Sequence, residues 1–142
     1  YNTDKTVAYY YGDINKDPNK DVIIDAQKRC LELEAQVVEM MKPGTPIQDL
    51  YTVPMDKFDN IYGDNFMNGG KFLGHSIGLV MDEAPAIAKG FKEPLQVGMT
   101  FAVEPKIALP GIGLVGTENT YVITENGARC LTGKSYELRS VE

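Results

Sequence analysis

The sequence predicts an α+β domain in which two helices pack against an antiparallel sheet. One observation is a long segment near the amino terminus whose apolar residues recur with the period of an α-helix. Another is a series of strand-like runs in the later half, where Asn126-Gly127 is a strong hairpin signal. The 142 residues suit one domain with a sizeable core.

The first predicted elements are a strand and a long helix. Tyr1–Tyr11 is dense in Thr, Val and Tyr, as strands are. Asp17-Pro18 has the form of a helix start, with Asp as the N-cap and Pro in the first position, and Pro43-Gly44 ends the helix. Its buried face is predicted to consist of Ile23, Ala26, Cys30, Leu33, Val37 and Met40. Its solvated face is predicted to include Glu32, Glu34 and Glu39.

A second, shorter helix is predicted from Thr45, because Thr45-Pro46-Ile47-Gln48 has the pattern of a capping box. Pro54 removes a helical hydrogen bond, so this helix should kink or stop near Val53, and an irregular run should follow to Asn68. The later strands are predicted at Met99–Glu104, Leu114–Glu118, Asn119–Thr124 and Ala128–Leu131.

Composition excludes several classes of function. A net charge of −6 argues against a nucleic-acid partner, which would require a basic patch. No apolar run approaches the roughly 20 residues of a membrane helix, so no membrane partner is expected. Gly69-Gly70 lacks the lysine and the serine or threonine of a phosphate-binding loop.

The two cysteines, Cys30 and Cys130, have no metal-type spacing. They suggest free thiols in a reducing compartment, and hence the cytoplasm. A single disulfide between them stays open as the alternative.

The residues that can carry chemistry are concentrated between Gly74 and Glu118. The only histidine, His75, lies in G-H-S-I-G, Glu104 lies in M-T-F-A-V-E-P, and Glu118 lies in V-G-T-E-N-T. One imidazole with several carboxylates is the ligand set of a borderline-to-hard divalent ion. A carboxylate in an apolar run needs a partner or a metal, because burying a lone charge is costly. A loop histidine among glycines is the alternative interpretation.

The motifs follow one another in a specific order through Gly74–Thr132: G-H-x-I-G-L, D-E-x-P, L-x-x-G-M-x-F-x-x-E-P and G-x-E-N-T. This order resembles the pita-bread metallopeptidases, which include the Xaa-Pro dipeptidases and aminopeptidases, with methionine aminopeptidase and creatinase as relatives. The resemblance reaches back to Tyr1 more weakly. It implies the pita-bread fold, a curved antiparallel sheet with helices on one face, of which residues 1–142 would be the C-terminal portion.

The resemblance also implies a site. Two divalent ions (Mn, Co, Fe or Zn) would be held by a family aspartate upstream of Tyr1 and by Asp4, His75, Glu104 and Glu118 of this chain. The chain by itself would then hold one ion or none. The implied reaction is amide hydrolysis by a metal-bridged hydroxide, with short proline-containing peptides as substrates. Glu104 has a second implied role, a catalytic proton shuttle to the leaving nitrogen. The oligomeric state stays open, with a homodimer as one alternative.

Two positions depart from the family pattern. Asp82 stands where the family often has a substrate-facing histidine, so we expect it to be a catalytic and substrate-binding residue that accepts hydrogen bonds but donates none. Gly116 stands where many members have an arginine. Two other functions therefore stay open. One is a hydrolase or lyase of the same fold that acts on a small non-peptide substrate, and the other is a pseudoenzyme or binding module.

Overall fold

The structure, a computed structural model, describes residues 1–59, 61–133 and 136–142. Within these ranges the chain forms two α-helices, α1 (Lys20–Met40) and α2 (Asp49–Lys57). The strands are β1 (Thr6–Val7), β2 (Tyr9–Tyr11), β3 (Phe72–Ser76), β4 (Glu83–Ala88), β5 (Thr100–Val103), β6 (Lys106–Leu109), β7 (Gly113–Thr124), β8 (Gly127–Cys130) and β9 (Arg139–Val141). Neither helix in the described part of the chain is both long and apolar enough to cross a membrane.

The sheet is organised around β7, its longest strand. The first half of β7 pairs with β6 and β1, and the second half pairs with β5 and β8. Beyond β5 lie β3 and then β4, so that the main path of the sheet is β1-β7-β5-β3-β4. Every pair in this sheet is antiparallel, whereas β2 and β9 form a separate parallel pair. The predicted α+β class is confirmed.

Helix α1 packs the predicted apolar face against the sheet. Five of the six predicted side chains belong to the buried core, and Met40 is half-buried at the end of the helix. The start lies two residues later than predicted, since the helix begins at Lys20. The predicted N-cap is therefore wrong: the N-cap is Asn19, which makes no side-chain cap hydrogen bond, and Oδ1 of Asp17 accepts a hydrogen bond from the backbone N–H of Asn19 at 2.7 Å in the turn before the helix.

Glu34 does not lie on the solvated face of α1, so that prediction is wrong. The residue is 2% exposed. Its Oε1 accepts hydrogen bonds from Nδ2 of Asn119 at 2.9 Å and from the hydroxyl of Tyr121 at 2.7 Å. Both partners lie on β7, so the carboxylate connects the helix to the sheet across the core. Helical periodicity could not reveal this, because the partners that make burial tolerable come from a distant strand.

Helix α2 does not begin with the capping box predicted at Thr45. It begins at Asp49, without a side-chain cap. Backbone hydrogen bonds to a later loop hold the preceding segment instead, and the N–H of Ile47 donates to the carbonyl of Glu93 at 3.0 Å. The helix continues past Pro54, so it does not stop near Val53. Residue 60 of the predicted irregular run lies outside the described residues.

The strands match the predictions where the sequence has a strong local signal. The predicted runs 114–118 and 119–124 form the single strand β7, and a two-residue hairpin joins it to β8. The loop is Glu125-Asn126, one residue earlier than the Asn126-Gly127 signal, because Gly127 pairs with Thr124 as the first residue of β8. The first eleven residues form two short strands, not one. The sequence does not predict β3, β4, β6 or β9. The pairing of these strands depends largely on cross-strand packing, which a local pattern does not contain.

Candidate metal centre

The register of the sheet places several polar side chains on one face. Residues directly opposite each other in antiparallel strands project to the same side, and His75 lies opposite Ala102, which lies opposite Thr120. Glu118 shares that side with Thr120 because side chains alternate along β7. The other side of β7 carries Tyr121, whose hydroxyl contacts α1. The site therefore lies on the sheet face that points away from α1.

Asp4 is held at this face by β7. Its backbone N–H donates to Oγ1 of Thr120 at 2.8 Å, and that hydroxyl donates to the carbonyl of Asp4 at 2.9 Å. These bonds continue the register in which Thr6 lies opposite Glu118. Burial, and then the negative charge of Glu118, raises the pKa of the Asp4 carboxyl. A nearby cation would relieve this repulsion.

Asp4, His75 and Glu118 converge closely enough to hold one metal ion. Each offers one ligand atom, and the three atoms lie within 4.8 Å of one another. His75 and Glu118 are buried, and Asp4 is half-buried. One imidazole nitrogen with two carboxylate oxygens is a donor set that suits a divalent ion such as Mn²⁺, Fe²⁺, Co²⁺ or Zn²⁺. The residues present therefore fit one such ion.

The ring of His75 is oriented as a metal-binding histidine would be. Its Nδ1 lies 3.1 Å from the carbonyl oxygen of Ser76, and because a carbonyl only accepts, Nδ1 carries the hydrogen. Its Nε2 faces two carboxylates, with Oδ1 of Asp82 at 3.0 Å and Oε1 of Glu104 at 3.4 Å. The nitrogen available for a metal thus points into a group of oxygen atoms.

Lys106 joins the two buried glutamates of this face. Its Nζ donates to Oε2 of Glu104 at 2.8 Å and to Oε2 of Glu118 at 2.9 Å, and Oγ1 of Thr6 donates to the same Glu118 oxygen at 2.6 Å. Burial by itself would lower the pKa of Lys106, but the hydrogen bonds to both glutamates raise that pKa overall. Burial raises the pKa of Glu104, and Lys106 offsets only part of this rise.

All of the predicted site residues lie at this one face: Asp4, His75, Asp82, Glu104 and Glu118. Asp82 is the most peripheral, with a side chain that is 81% exposed. Sequence reasoning missed Lys106 and Thr6. Lys106 had a usable signal, since it is the one charged residue in the apolar run that follows Glu104. Thr6 had none, because its role depends on the pairing of β1 with β7.

Gly116 lies directly opposite Lys106 in the pair of β6 with β7. Its φ of +140° is one that residues with side chains rarely adopt. An added Cβ would overlap the carbonyl oxygen of Pro105 and would lie 2.7 Å from Cα of Lys106. An arginine at this position would therefore require the backbone of β6 to move.

Comparison with protein families and curated proteins identifies a consistent set of relatives. The model of metallopeptidase family M24 matches residues 1–125. A Xaa-Pro dipeptidase of Pyrococcus furiosus is 35% identical over 141 residues, which cover 97% of this chain and 38% of that protein. A Xaa-Pro dipeptidase of Pyrococcus horikoshii is 32% identical over 141 residues, covering 97% of this chain and 37% of that protein. The chain thus spans well under half the length of these relatives.

Solved structures show the same similarity. Dipeptidase PepE from Mycobacterium ulcerans superimposes with a TM-score of 0.78 at 30% identity, covering 94% of this chain and 34% of that one. An X-Pro aminopeptidase from Thermotoga maritima superimposes with a TM-score of 0.75 at 31% identity, covering 85% of this chain and 34% of that one. These neighbours confirm the predicted pita-bread fold.

Proposed function

Because the chain belongs to metallopeptidase family M24, we propose that it is the C-terminal part of the catalytic domain of a metal-dependent peptidase. The proposed substrates are short peptides with proline after the scissile bond. The observation that carries the proposal is the convergence of Asp4, His75 and Glu118, whose ligand atoms lie within 4.8 Å of one another. The relatives named Xaa-Pro dipeptidase support the substrate class.

Each residue of the site has a separate role in the proposed amide hydrolysis. Asp4, His75 and Glu118 would hold a divalent ion, which supplies Lewis acidity when it is bound. Glu104 is buried beside His75, and burial raises the pKa of its carboxyl, which favours a role in proton transfer. Asp82 is exposed at the rim, where it can accept a hydrogen bond from an N–H of an incoming peptide.

We further propose Mn²⁺ as the ion and the cytoplasm as the compartment. A mixed imidazole and carboxylate ligand set suits Mn²⁺ at least as well as Zn²⁺. Cys30 and Cys130 are both free, which supports a reducing compartment. The homodimer considered from the sequence stays a prediction, which light scattering would test.

A second candidate is a pseudoenzyme that keeps the fold for binding. The observation that favours it is the position of Lys106, whose ammonium is hydrogen-bonded to both Glu104 and Glu118. A side-chain cation on these carboxylates reduces what they can offer to metal ions. The two candidates differ in what the complete product of the gene should do with a peptide.

Metal analysis and a peptide assay test the proposed function. We expect this chain to bind about one equivalent of Mn²⁺ after exchange into excess metal, because the described residues converge as one ligand group. By itself it should hydrolyse Xaa-Pro dipeptides poorly or not at all. The complete gene product should hydrolyse them and should lose this activity on chelation. Metal binding without any hydrolysis by the complete product would favour the pseudoenzyme, and the failure of both this chain and the complete product to take up Mn²⁺ would contradict the metal centre and the peptidase.

Replacing Asp82 with alanine should lower turnover of a Xaa-Pro peptide more than it lowers metal content. The side chain is 81% exposed, so it contributes less to holding an ion than the buried ligands do, but its Oδ1 lies 3.0 Å from Nε2 of His75, at the rim of the proposed site. Steady-state kinetics and metal analysis on the complete gene product would measure both effects. Asp56→Ala, on an exposed position of α2, is the control. Kinetics that match the wild type would show that Asp82 is a bystander.

A further inference from the structure

We propose that the ammonium of Lys106 is a built-in cation of this site, which competes with divalent metal ions for Glu104 and Glu118. The inference rests on the proposed function, in which both glutamates serve a metal centre. A metal ion that uses the oxygens now bonded to Lys106 must displace the ammonium. Lys106 would then set how tightly the site binds metal.

The geometry shows a cation that is shared by two carboxylates. Nζ of Lys106 lies 2.8 Å from Oε2 of Glu104 and 2.9 Å from Oε2 of Glu118. Lys106 and Glu104 are each 8% exposed, and Glu118 is 3% exposed. A lysine ammonium is a compact charge with three N–H donors, so it can serve two carboxylates at once. Because water is largely excluded, these charge-assisted hydrogen bonds are stronger than they would be at the surface.

The net negative charge of the buried acids at this face, counted together with Lys106, matches one divalent ion and not two. The three acids of this face that are buried or half-buried, Asp4, Glu104 and Glu118, carry three negative charges when all are ionised, and the ammonium of Lys106 neutralises one of them. Asp82 is not counted, because its side chain is 81% exposed and its charge is screened by water. The remaining two negative charges are balanced by a single divalent ion. The group formed by Asp4, His75 and Glu118 is where that ion fits. Lys106 is bonded to Oε2 of this same Glu118 and to Oε2 of Glu104, so the ammonium and an ion share a glutamate and compete for it.

The backbone at Gly116 makes room for this lysine. An added Cβ at Gly116 would lie 3.0 Å from Cγ of Lys106 as well as overlapping the carbonyl oxygen of Pro105. The first atoms of the Lys106 side chain therefore occupy the space that a side chain at position 116 would need. The two positions face each other across β6 and β7, so a side chain at 116 and the lysine at 106 are sterically coupled.

The test compares Mn²⁺ affinity in the wild-type chain and in Lys106→Met by isothermal titration calorimetry. Methionine has a similar length but no charge, so it should leave both glutamates free for metal. We expect Mn²⁺ to bind about tenfold more tightly, or better, which corresponds to the loss of one charge-assisted competitor. Lys106→Gln, which keeps a neutral donor, should change the affinity in the same direction.

Lys5→Met is the matched control. Nζ of Lys5 donates to Oδ1 of Asn119 at 2.6 Å. The side chain of Asn119 lies on the face of β7 that points toward α1, where its Nδ2 donates to Glu34, so the ammonium of Lys5 is bonded there and not to a glutamate of the site. The control removes one positive charge without freeing a carboxylate of the site, so it measures the effect of overall charge alone. We expect it to change the Mn²⁺ affinity much less than Lys106→Met does.

Thermal unfolding gives a second readout, which separates a competitor from a purely structural ion pair. Without metal, Lys106→Met should melt at a lower temperature than the wild type, because two carboxylates are then buried without their cation. Saturating Mn²⁺ should raise the melting temperature of the variant more than that of the wild type, because a ligand that binds more tightly stabilises more. A purely structural lysine predicts the first effect without the second.

The outcomes distinguish the inference from the proposed function. Equal Mn²⁺ affinity in the wild type and in both Lys106 variants would overturn the inference and leave the metal centre in place. An equal gain in Lys5→Met would also overturn it, because overall charge would then be the cause. If neither the wild type nor any variant binds Mn²⁺, the proposed metal centre is wrong, and the inference is lost with it.

Discussion

Gly74→Ala is expected to destabilise the protein by about 3 kcal/mol or more, which is the upper end of the usual cost of overpacking. Gly74 lies in β3, directly opposite Val103 of β5. An added Cβ would overlap the carbonyl oxygen of Ala102 and would lie 3.1 Å from Cδ1 of Ile87. Because β3 is paired on both sides, by β4 and β5, the strand has little freedom to retreat. Urea unfolding followed by circular dichroism would measure the loss.

Gly78→Ala is the control for this substitution. It adds the same methyl group four residues along the chain, where the nearest atom is Oε2 of Glu83 at 3.4 Å, the end of a flexible side chain. We expect its midpoint in urea to stay close to that of the wild type. If both alanine variants unfold at the wild-type midpoint, the close approach of β3 to β5 at Gly74 is not as the structure describes it.

His75→Ala is expected to lower the affinity for Mn²⁺ by more than about 100-fold, since even residues that only orient a ligand typically contribute 10- to 100-fold. His75 is the only histidine, so no other imidazole can replace it. Removing it leaves Asp4 and Glu118 as the remaining members of the convergent group. Titration calorimetry with Mn²⁺ on the wild type and the variant would measure the change.

Ser76→Ala serves as the comparison for His75→Ala. Ser76 is the next residue of β3, and its hydroxyl donates to the carbonyl of Thr100 and not to the cluster. Its loss should leave Mn²⁺ affinity close to that of the wild type while reporting any general damage to the strand. Retention of full affinity in His75→Ala would exclude this residue as a ligand and would remove the main support for the proposed function.

The sequence by itself determined the features that depend on local pattern. The buried face of α1 follows from apolar residues that repeat at helical spacing, and each contributes to the core whatever its exact partners are. The hairpin at Asn126 follows from the backbone freedom that its turn requires. The order of the motifs was enough to suggest the family and the residues of the site, because motif order along a chain is a property of the sequence alone.

The tertiary structure decided which charged groups meet. Glu34 has the spacing of a solvent-facing residue, but Asn119 and Tyr121 on β7 make its burial tolerable. In the sequence, Lys106 is one charged residue in an apolar run. The pairing of β6 with β7 places its ammonium between Glu104 and Glu118. Whether a charge is solvated or paired depends on groups that are distant in the chain. The helix and the hairpin could therefore be predicted from local pattern, whereas the internal cation of the site became visible only once the strands had been placed side by side.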